Sequence, residues 1–508
     1  MSRVLALRPS AQAGPGAPHT LSQIVSPGPA CADSTSSVFT RCLLLLPVVL
    51  ALSGCGSLVP STDTPRPPLR EDFRPKAASA AEPAASAAAA SHEWRGFFAD
   101  ARLDEVVATA LDQNRSLRVS AAAVERVRAQ YRVTAAERLP EIGVGASATR
   151  QRTINGEGAT TTYGVNLGLA SYEIDLFNRL GSLEGAALSR FLAEQETQRS
   201  ARLSLAAEVA TAWLSLAAAQ QRLALNQELR DSQQRSLDLA ERQYALGAAS
   251  GLDRARVRTV FESARGDAAE SVSAVTQARL QLELLVGQPL PDRLLPTAQG
   301  MSSTTGGVDV TVLPAVPGGL PADVLLQRPD LRAAEQRLRA AAFDVGAARA
   351  ARFPRLTLTA SAGTRSPDLD GLFKSGSGVW SIVPQIDLPI FDGGQRRAQV
   401  EVSEASRQEA LAGYESALQS AFREVADALA VRDQLAERLA AQQAQVDAAE
   451  QSQRLAERSY RLGGSSQLEL LDAQRQLTTA KRALVTLRQT EQANRVALLR
   501  ALGGRWTQ

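Results

Sequence analysis

The stretch "LAERQYALG" (239–247) returns as "LAERSYRLG" (455–463), with seven of nine letters unchanged at an offset of 216 residues. The same offset pairs Glu208-Val209-Ala210 with Glu424-Val425-Ala426, Leu252 with Leu468, and Gly287 with Gly503. Upstream the offset is 214, pairing Pro140 with Pro354 and Phe177 with Phe391. The chain is a tandem duplication, so whatever fold it has is built twice. Repeat 1 spans 93–286 and repeat 2 spans 329–505, with a Pro/Gly-rich segment, 287–328, between them.

Both copies carry the same punctuation. No proline occurs from 141 to 288 or from 390 to 508. Helix interiors exclude proline because it lacks the N–H and clashes with the preceding turn. Within 182–246 and 395–462 the only glycines are Gly185 and Gly413, amid Ala, Leu, Gln, Glu and Arg, which favour helix. These stretches predict two helices of about 65 residues, each about 100 Å long at the α-helical rise. Shorter helices are expected over 114–137 and 329–352 before them, and over 251–286 and 467–502 after them. A short pair stacked end to end matches one long helix in length. The stripe Leu205, Val209, Trp213, Leu216 reads as core packing and carries no ligand assignment.

Between the short and long helices the period changes to two. Ile142, Val144, Ala146 and Ala148 alternate with Gly143, Gly145, Ser147 and Thr149. Tyr163, Val165, Leu167 and Leu169 alternate with Gly164, Asn166 and Gly168. Repeat 2 has Leu356, Leu358, Ala360 and Ala362, then Trp380, Ile382, Ile386 and Leu388. Strands are expected at about 141–150, 163–177, 355–364 and 379–391. An apolar face backed by a small or polar one suits a membrane barrel. Four strands cannot close, and lipid does not satisfy an open edge. Strands from several copies must therefore be pooled: two copies give eight, three give twelve and four give sixteen. Twelve or more leave room for an aqueous pore.

The N-terminus adds an address. "LLLLPVVLALSGCGS" (43–57) has an apolar run too short to span a bilayer, followed by small residues and Cys55. "LSGC" resembles a lipoprotein signal, with 1–54 removed and Cys55 lipidated. Residues 55–92 then read as a Pro/Ala-rich tether from lipid to body. Removing Arg3, Arg8, Arg41 and Asp33 from 56 basic and 53 acidic residues leaves 53 and 52 in 55–508. A nearly neutral chain has no general attraction for nucleic acid. After the leader only Cys55 and His92 remain of their kinds. Cys/His zinc sites, disulfide frameworks and His-dependent nucleophile systems are thereby excluded. No nucleotide-binding glycine motif is present. No catalytic residue, metal site or cofactor is expected, and the chain does not read as an enzyme.

At this point the chain resembles the TolC-like outer membrane factors, most closely their efflux lipoprotein branch of the NodT type. The carrying segments are "WRGFFADARLDEVVATALDQNRSLRVSAAAVERVRA" (94–129), "LLQRPDLRAAE" (325–335), "RSYRLGGSSQLELLDAQRQL" (458–477) and "LLRALGG" (498–504). The resemblance implies an α+β membrane protein: a homotrimeric channel with a 12-strand barrel, four strands from each protomer, continuing into a long α-helical barrel. It implies a mixed equatorial belt that includes 287–328. It implies an outer-membrane location with lipid at Cys55 and the helical part in the periplasm; Gly56 after the cysteine agrees with outer-membrane sorting. Its partners would be a periplasmic adaptor and an inner-membrane pump of the resistance-nodulation-division type, and its role passive export of drugs or other small molecules.

The tips of the long helices are the candidate site. "YALGAASGLD" (244–253) and "YRLGGSSQLE" (460–469) join each long helix to the next. Gly247 and Gly463 suit helix C-termini. Ser250 with Asp253, and Ser466 with Glu469, suit capping boxes, which alone would explain both acids. The resemblance adds a second role: Leu468, Glu469, Asp472 and Arg475 would line a periplasmic gate. Asp253 and Tyr460 would tie neighbouring helices, and the turn residues Tyr244, Gly247, Ser250, Leu252, Gly463 and Ser466 would meet the adaptor. Asp472 and Arg475 are three apart and share a helix face. Glu469 and Ser465 depart from some relatives' residues there. Two other readings stay open from sequence: a protein-secretion duct of the same fold, and a periplasmic coiled-coil tether. The tether needs no amphipathic strands.

Overall fold

The duplication is visible in the order of elements. The computed structural model describes residues 58–61, 98, 100–152, 158–296 and 322–504. Repeat 1 contains α1 (Ala101–Gln113), α2 (Arg115–Ala136), β1 (Ile142–Arg152), β2 (Ala159–Ile174), α3 (Arg179–Ala245) and α4 (Gly251–Val286). Repeat 2 contains α5 (Pro329–Ala350), β3 (Arg355–Ser366), β4 (Gly378–Asp387), α6 (Gln395–Arg461) and α7 (Gln467–Ala501). The leader, Cys55 and most of the expected tether lie outside the described residues. So does 297–321, most of the segment between the repeats.

α3 and α6 are 67 residues each, as the proline-free stretches require. α3 packs with α4, and α6 with α7; α5 lies between α3 and α6, and α7 also touches α3. Gly185, the single glycine of 182–246, sits where α5 crosses: a Cβ there would lie 2.9 Å from the Phe343 ring.

The two repeats bury matching residues. One core contains Val209, Trp213, Leu282 and Val286; another contains Val425, Leu429, Leu498 and Leu502, each 216 positions on. The stripe Leu205, Val209, Trp213, Leu216 is core, and Trp213 Nε1 donates to Leu294 O at 3.2 Å. The equator repeats too. Asn114 donates to Leu285 O at 2.7 Å, and Arg328, 214 positions on, donates to Ala501 O at 2.7 Å. Gly287 and Gly503 follow these acceptors at φ +85° and +76°. A Cβ at Gly287 would lie 2.7 Å from Gln113 O, so the left-handed turn and the close approach both require glycine.

The short helix α1 was not expected as a separate element. Asn114 divides it from α2: its extended backbone (ψ 129°) ends one helix, and its side chain accepts from Leu117 N at 3.0 Å to cap the next.

The strands form one antiparallel sheet in the order β1-β2-β3-β4, the repeats meeting at β2–β3. The register puts Ile142, Leu169, Ala360 and Ile382 in one row, and Val144, Leu167, Ala362 and Trp380 in the next. One face is therefore apolar from edge to edge. The opposite face carries mostly glycine, serine, threonine and asparagine, with Val379 and Val383 of β4 among them; Ser361 and Ser381 hydroxyls are 2.9 Å apart there. A bulge between Leu169 and Tyr172, with Ser171 at φ +50°, inserts one residue into β2. Without it Ser171 and Glu173 would take the apolar face; with it Tyr172 and Ile174 do. Glu173 then points to the polar side, where its carboxylate bonds Arg179 at 2.7 Å and Arg355 at 2.6 Å.

Strand ends differ from the sequence expectation. β2 stops at Ile174, short of 177, because Asp175 turns to cap α3, accepting from Arg179 N at 2.6 Å and Gly181 N at 2.8 Å. β4 stops at Asp387, short of 391. There Asp392 accepts from Gly394 N at 2.9 Å and Arg396 N at 3.2 Å, doing the same for α6, and Pro389 offers no ladder donor.

Candidate functional site at the helical tips

Each long helix ends in the same hydrogen-bonded turn. Gly247 N donates to Tyr244 O at 3.0 Å and Ala248 N to Gln243 O at 2.8 Å. Gly463 N donates to Tyr460 O at 3.0 Å and Gly464 N to Ser459 O at 2.8 Å. This is the Schellman pattern, with glycine at φ +74° and +76°. Leu252 and Leu468, just past the turns, are both 59% exposed.

The next helices start differently. In repeat 2 the capping box is complete: Glu469 N donates to Ser466 Oγ at 3.3 Å, and Ser466 N to Glu469 Oε2 at 3.2 Å. The Glu469 carboxylate is therefore committed to its own helix start. In repeat 1 Asp253 N donates to Ser250 Oγ at 3.1 Å, but the shorter aspartate bonds the Ser250 hydroxyl at 2.6 Å, not the backbone. The capping role expected of both acids is met by Glu469; Asp253 reaches only the Ser250 hydroxyl, so its box stays half made. Tyr244 carries Arg254 over its ring, 4.2 Å from Cζ to the centroid. Tyr460 is half-buried in the last turn of α6. Its turn has Leu470 where Arg254 would correspond, so that cation–π contact exists in one tip alone.

Asp472 and Arg475 form an ion pair, and Gln476 also donates to Asp472 at 2.6 Å. Leu468, Asp472 and Arg475 line a groove of about 560 Å³ with Arg256, Val260 and Asp267 of α4 across from them and Leu229 and Gln233 of α3 beneath. The duplication places Arg256 where repeat 2 has Asp472, so corresponding positions carry opposite charge and face one groove.

From the groove onward along α7, a set of polar contacts missed from sequence binds α7 to α3. Gln474 accepts from Gln233 at 2.8 Å. Arg482 bonds Asn226 at 2.6 Å and Asp267 of α4 at 2.7 Å. Gln489 accepts from Arg222 at 2.8 Å and donates to Ser215 at 3.0 Å. The signal was present as near-heptad spacing, 474, 482 and 489 against 215, 222, 226 and 233. A helix in two-stranded contact returns to its partner at that period. At the equator the buried Arg328 bonds Asp330 at 2.7 Å and Glu424 at 2.9 Å. Burial pushes the Asp330 carboxyl up, but the Arg328 bonds outweigh it and hold it below its ordinary value. Among the described residues no cluster of His, Cys, Asp or Glu is arranged to hold a metal.

Comparison with known proteins agrees with this architecture. The family profile "Outer membrane efflux protein" matches residues 106–288 and again 320–504, one match to each repeat. A probable efflux pump outer membrane protein of Pseudomonas putida, TtgC, is 39% identical over 473 residues, covering 92% of this chain and 96% of that protein. The outer membrane protein OprJ of Pseudomonas aeruginosa is 38% identical over 465 residues, covering 90% and 95%. The cation efflux system protein CusC of Escherichia coli is 36% identical over 472 residues, covering 91% and 99%. Among solved structures, a membrane protein of Pseudomonas aeruginosa superposes with a TM-score of 0.79 at 38% identity, over 88% of this chain and all of that one. The open-state MtrE outer membrane channel of Neisseria gonorrhoeae gives 0.77 at 35% identity, over 88% and 98%. A twice-built helical hairpin carrying a small amphipathic sheet, matched over nearly its whole length, makes this chain a member of the outer membrane efflux protein family, a TolC-like outer-membrane channel of an efflux system.

Proposed function

We propose that three copies of the chain close one twelve-strand barrel, with β4 of each protomer pairing with β1 of the next, and that the ring forms a passive export duct. The observation that carries this reading is the sheet itself. It has an apolar face running from edge to edge and two unpaired edges, which lipid does not tolerate and a ring removes. The same closure gathers α3, α4, α6 and α7 into a helical cylinder reaching about 100 Å from the membrane. The duct docks on a periplasmic adaptor and an inner-membrane pump of the resistance-nodulation-division type, and Cys55 carries the lipid that anchors it. Relatives named for toluene, antibiotic and cation efflux favour small molecules as cargo.

In this reading the tip around Leu468, Asp472 and Arg475 is the constriction, because exposed charge there repeats in a ring of three. The tip turns at Tyr244–Leu252 and Tyr460–Ser466 meet the adaptor. The test is alternate-residue thiol scanning of β4. Cysteine at 381 and 383 should react with a water-soluble maleimide from the lumen, and cysteine at 380 and 382 should not. Equal reactivity on both faces would mean that no barrel forms in the membrane.

A further inference from the structure

Within one chain the two repeats meet along α3 and α5. Arg337 Nη2 donates to Thr197 Oγ1 at 2.9 Å, and Arg190 pairs with Asp344. These contacts run the two helices antiparallel and bring Ala186 level with Ala347, and Ala193 level with Ala340. All four alanines are buried. The stripe on α5 continues to Ala333, and the one on α3 includes Ser182 and Ser189, again all buried. Small side chains on both sides let the helices lie close.

The duplication copies both stripes onto exposed surfaces. α2 and α5 begin 214 residues apart, and α3 and α6 begin 216 apart. Ala333, Ala340 and Ala347 thus correspond to Val119, Arg126 and Val133 on α2. The two valines are 71% and 65% exposed, and Arg126 is exposed between them. Ser182, Ala186, Ser189 and Ala193 correspond to Ala398, Val402, Ala405 and Glu409 on α6, all exposed. α2 does keep the contact inside its own repeat: Leu117 and Val124 are buried like Leu331 and Leu338, and Tyr131 stacks on Phe191 of α3. The difference is a second neighbour. α5 packs on both α6 and α3, whereas α2 packs on α3.

The two exposed stripes changed together. Carried through the same offsets, the level pair Ala347 and Ala186 becomes Val133 and Val402, both apolar. The level pair Ala340 and Ala193 becomes Arg126 and Glu409, of opposite charge. Each new pair is complementary, yet among the described residues of one chain α2 and α6 do not pack on each other. In a head-to-tail ring, the step that carries repeat 1 onto repeat 2 carries repeat 2 onto repeat 1 of the next copy. That step brings the two stripes together.

We propose that α6 of one copy docks on α2 of the next, Val402 against Val133 and Glu409 against Arg126, and that the charged pair decides which surfaces are allowed to meet. The inference rests on the ring reading and adds to the strand pairing a helical interface with its own selectivity. Were α2 to meet α3 of another copy instead, Arg126 would face Ala193 and lose its carboxylate. Burying an unpaired charge is costly. Repeat 1 therefore closes on repeat 2 of a neighbour and not on a second repeat 1, and the two kinds of joint alternate around the ring.

The test is charge exchange in the full chain, with the trimer fraction of the detergent-extracted particle read by light scattering at one fixed concentration. Arg126→Glu and Glu409→Arg each place like charges in every seam and should lower that fraction by about tenfold. The double variant Arg126→Glu/Glu409→Arg should return it to within about twofold of the wild type. Both side chains are exposed in the single chain, so neither change disturbs its own packing. Single variants that assemble like the wild type, or a double variant that does not recover, would overturn the pairing. Separately, Val133→Cys with Val402→Cys should link neighbouring chains, giving two- and three-chain bands on a denaturing gel that neither single cysteine variant gives. Trimers of that variant without such bands would overturn the docking while leaving the ring in place. A wild-type particle that is not a trimer would overturn the ring reading itself, and the seam with it.

Discussion

The two hairpin tips began as copies and now do different things. Both end a 67-residue helix in the same glycine turn, and both expose a leucine to the same extent. Tip 1 is tied to itself, with Arg254 on Tyr244 and Asp253 on the Ser250 hydroxyl. Tip 2 lacks the arginine, completes its capping box with Glu469, and places Asp472 and Arg475 on the groove. Duplication preserved what a backbone needs, namely glycine at positive φ and a serine cap. It left free what faces solvent, and the charge at positions 256 and 472 reversed. The same contrast holds at the equator, where a neutral amide at Asn114 corresponds to a charged Arg328 with two carboxylate partners.

The largest expected effect comes from that equatorial contrast. Arg328→Ala strips the cation from two carboxylates and one buried carbonyl. The carboxylates left behind are 41% and 35% exposed, so the loss of these charged bonds and of the bond to the carbonyl should cost about 2–4 kcal/mol, whereas Asn114→Ala, losing a cap and one neutral bond, should cost about 1–2 kcal/mol. Thermal unfolding of the assembled particle would show the difference; equal losses would mean the two equators are energetically alike.

Next in size is the tip contrast itself. Leu468→Ala with Asp472→Ala should raise the conductance of the isolated channel. One exposed ion contact is worth up to about 1 kcal/mol, and three copies act together, so a rise of about fivefold or more is expected. Leu252→Ala with Arg256→Ala, the corresponding pair in tip 1, should change it by less than about twofold on the same scale. Bilayer recordings giving equal rises would remove the distinction between the tips.

A smaller effect separates the caps. Glu469→Ala leaves Ser466 N without its carboxylate and should fray the start of α7 by about 0.5–1 kcal/mol. Asp253→Ala removes only a bond to a hydroxyl that can turn to water. Amide exchange should accelerate at 467–470 in the first variant more than at 251–254 in the second.

The smallest effect is on pH dependence. Asp330 is held below its ordinary pKa by Arg328. Its contribution is complete above the unfolded value near 3.9 and is lost as pH falls through the lower folded value. Below about pH 4, the start of α5 should therefore loosen before the start of α2, whose Asn114 cap does not titrate. Exchange at 329–335 rising no earlier than at 115–121 would contradict this.

How much of this could be read from letters alone depended on whether the determinant was local. The 216-residue offset, the proline-free helices and the apolar rows of the sheet were legible, because each is a periodicity of one segment. The Schellman glycines and both serine caps were legible for the same reason. The β2 bulge was not, because nothing near Ser171 marks a non-glycine residue at positive φ. The boundary at Asn114 was legible as the start of the helix expected over 114–137, but the separate helix α1 before it was not expected. The contacts from Gln233 to Gln489 needed the knowledge that α7 crosses α3, which no single helix states. The box of Ser466 with Glu469 was legible too, and it closes as read; what the letters did not show is that Asp253 leaves its own box half made.

The central claim is that four strands become twelve. It is tested most directly by the mass of the detergent-extracted particle, corrected for bound detergent, by light scattering on the outer-membrane fraction. A particle of three chains is the predicted result, each edge β4 covered by a neighbour's β1. A stable particle of one or two chains would leave those edges open or the barrel without a lumen, and would contradict the account.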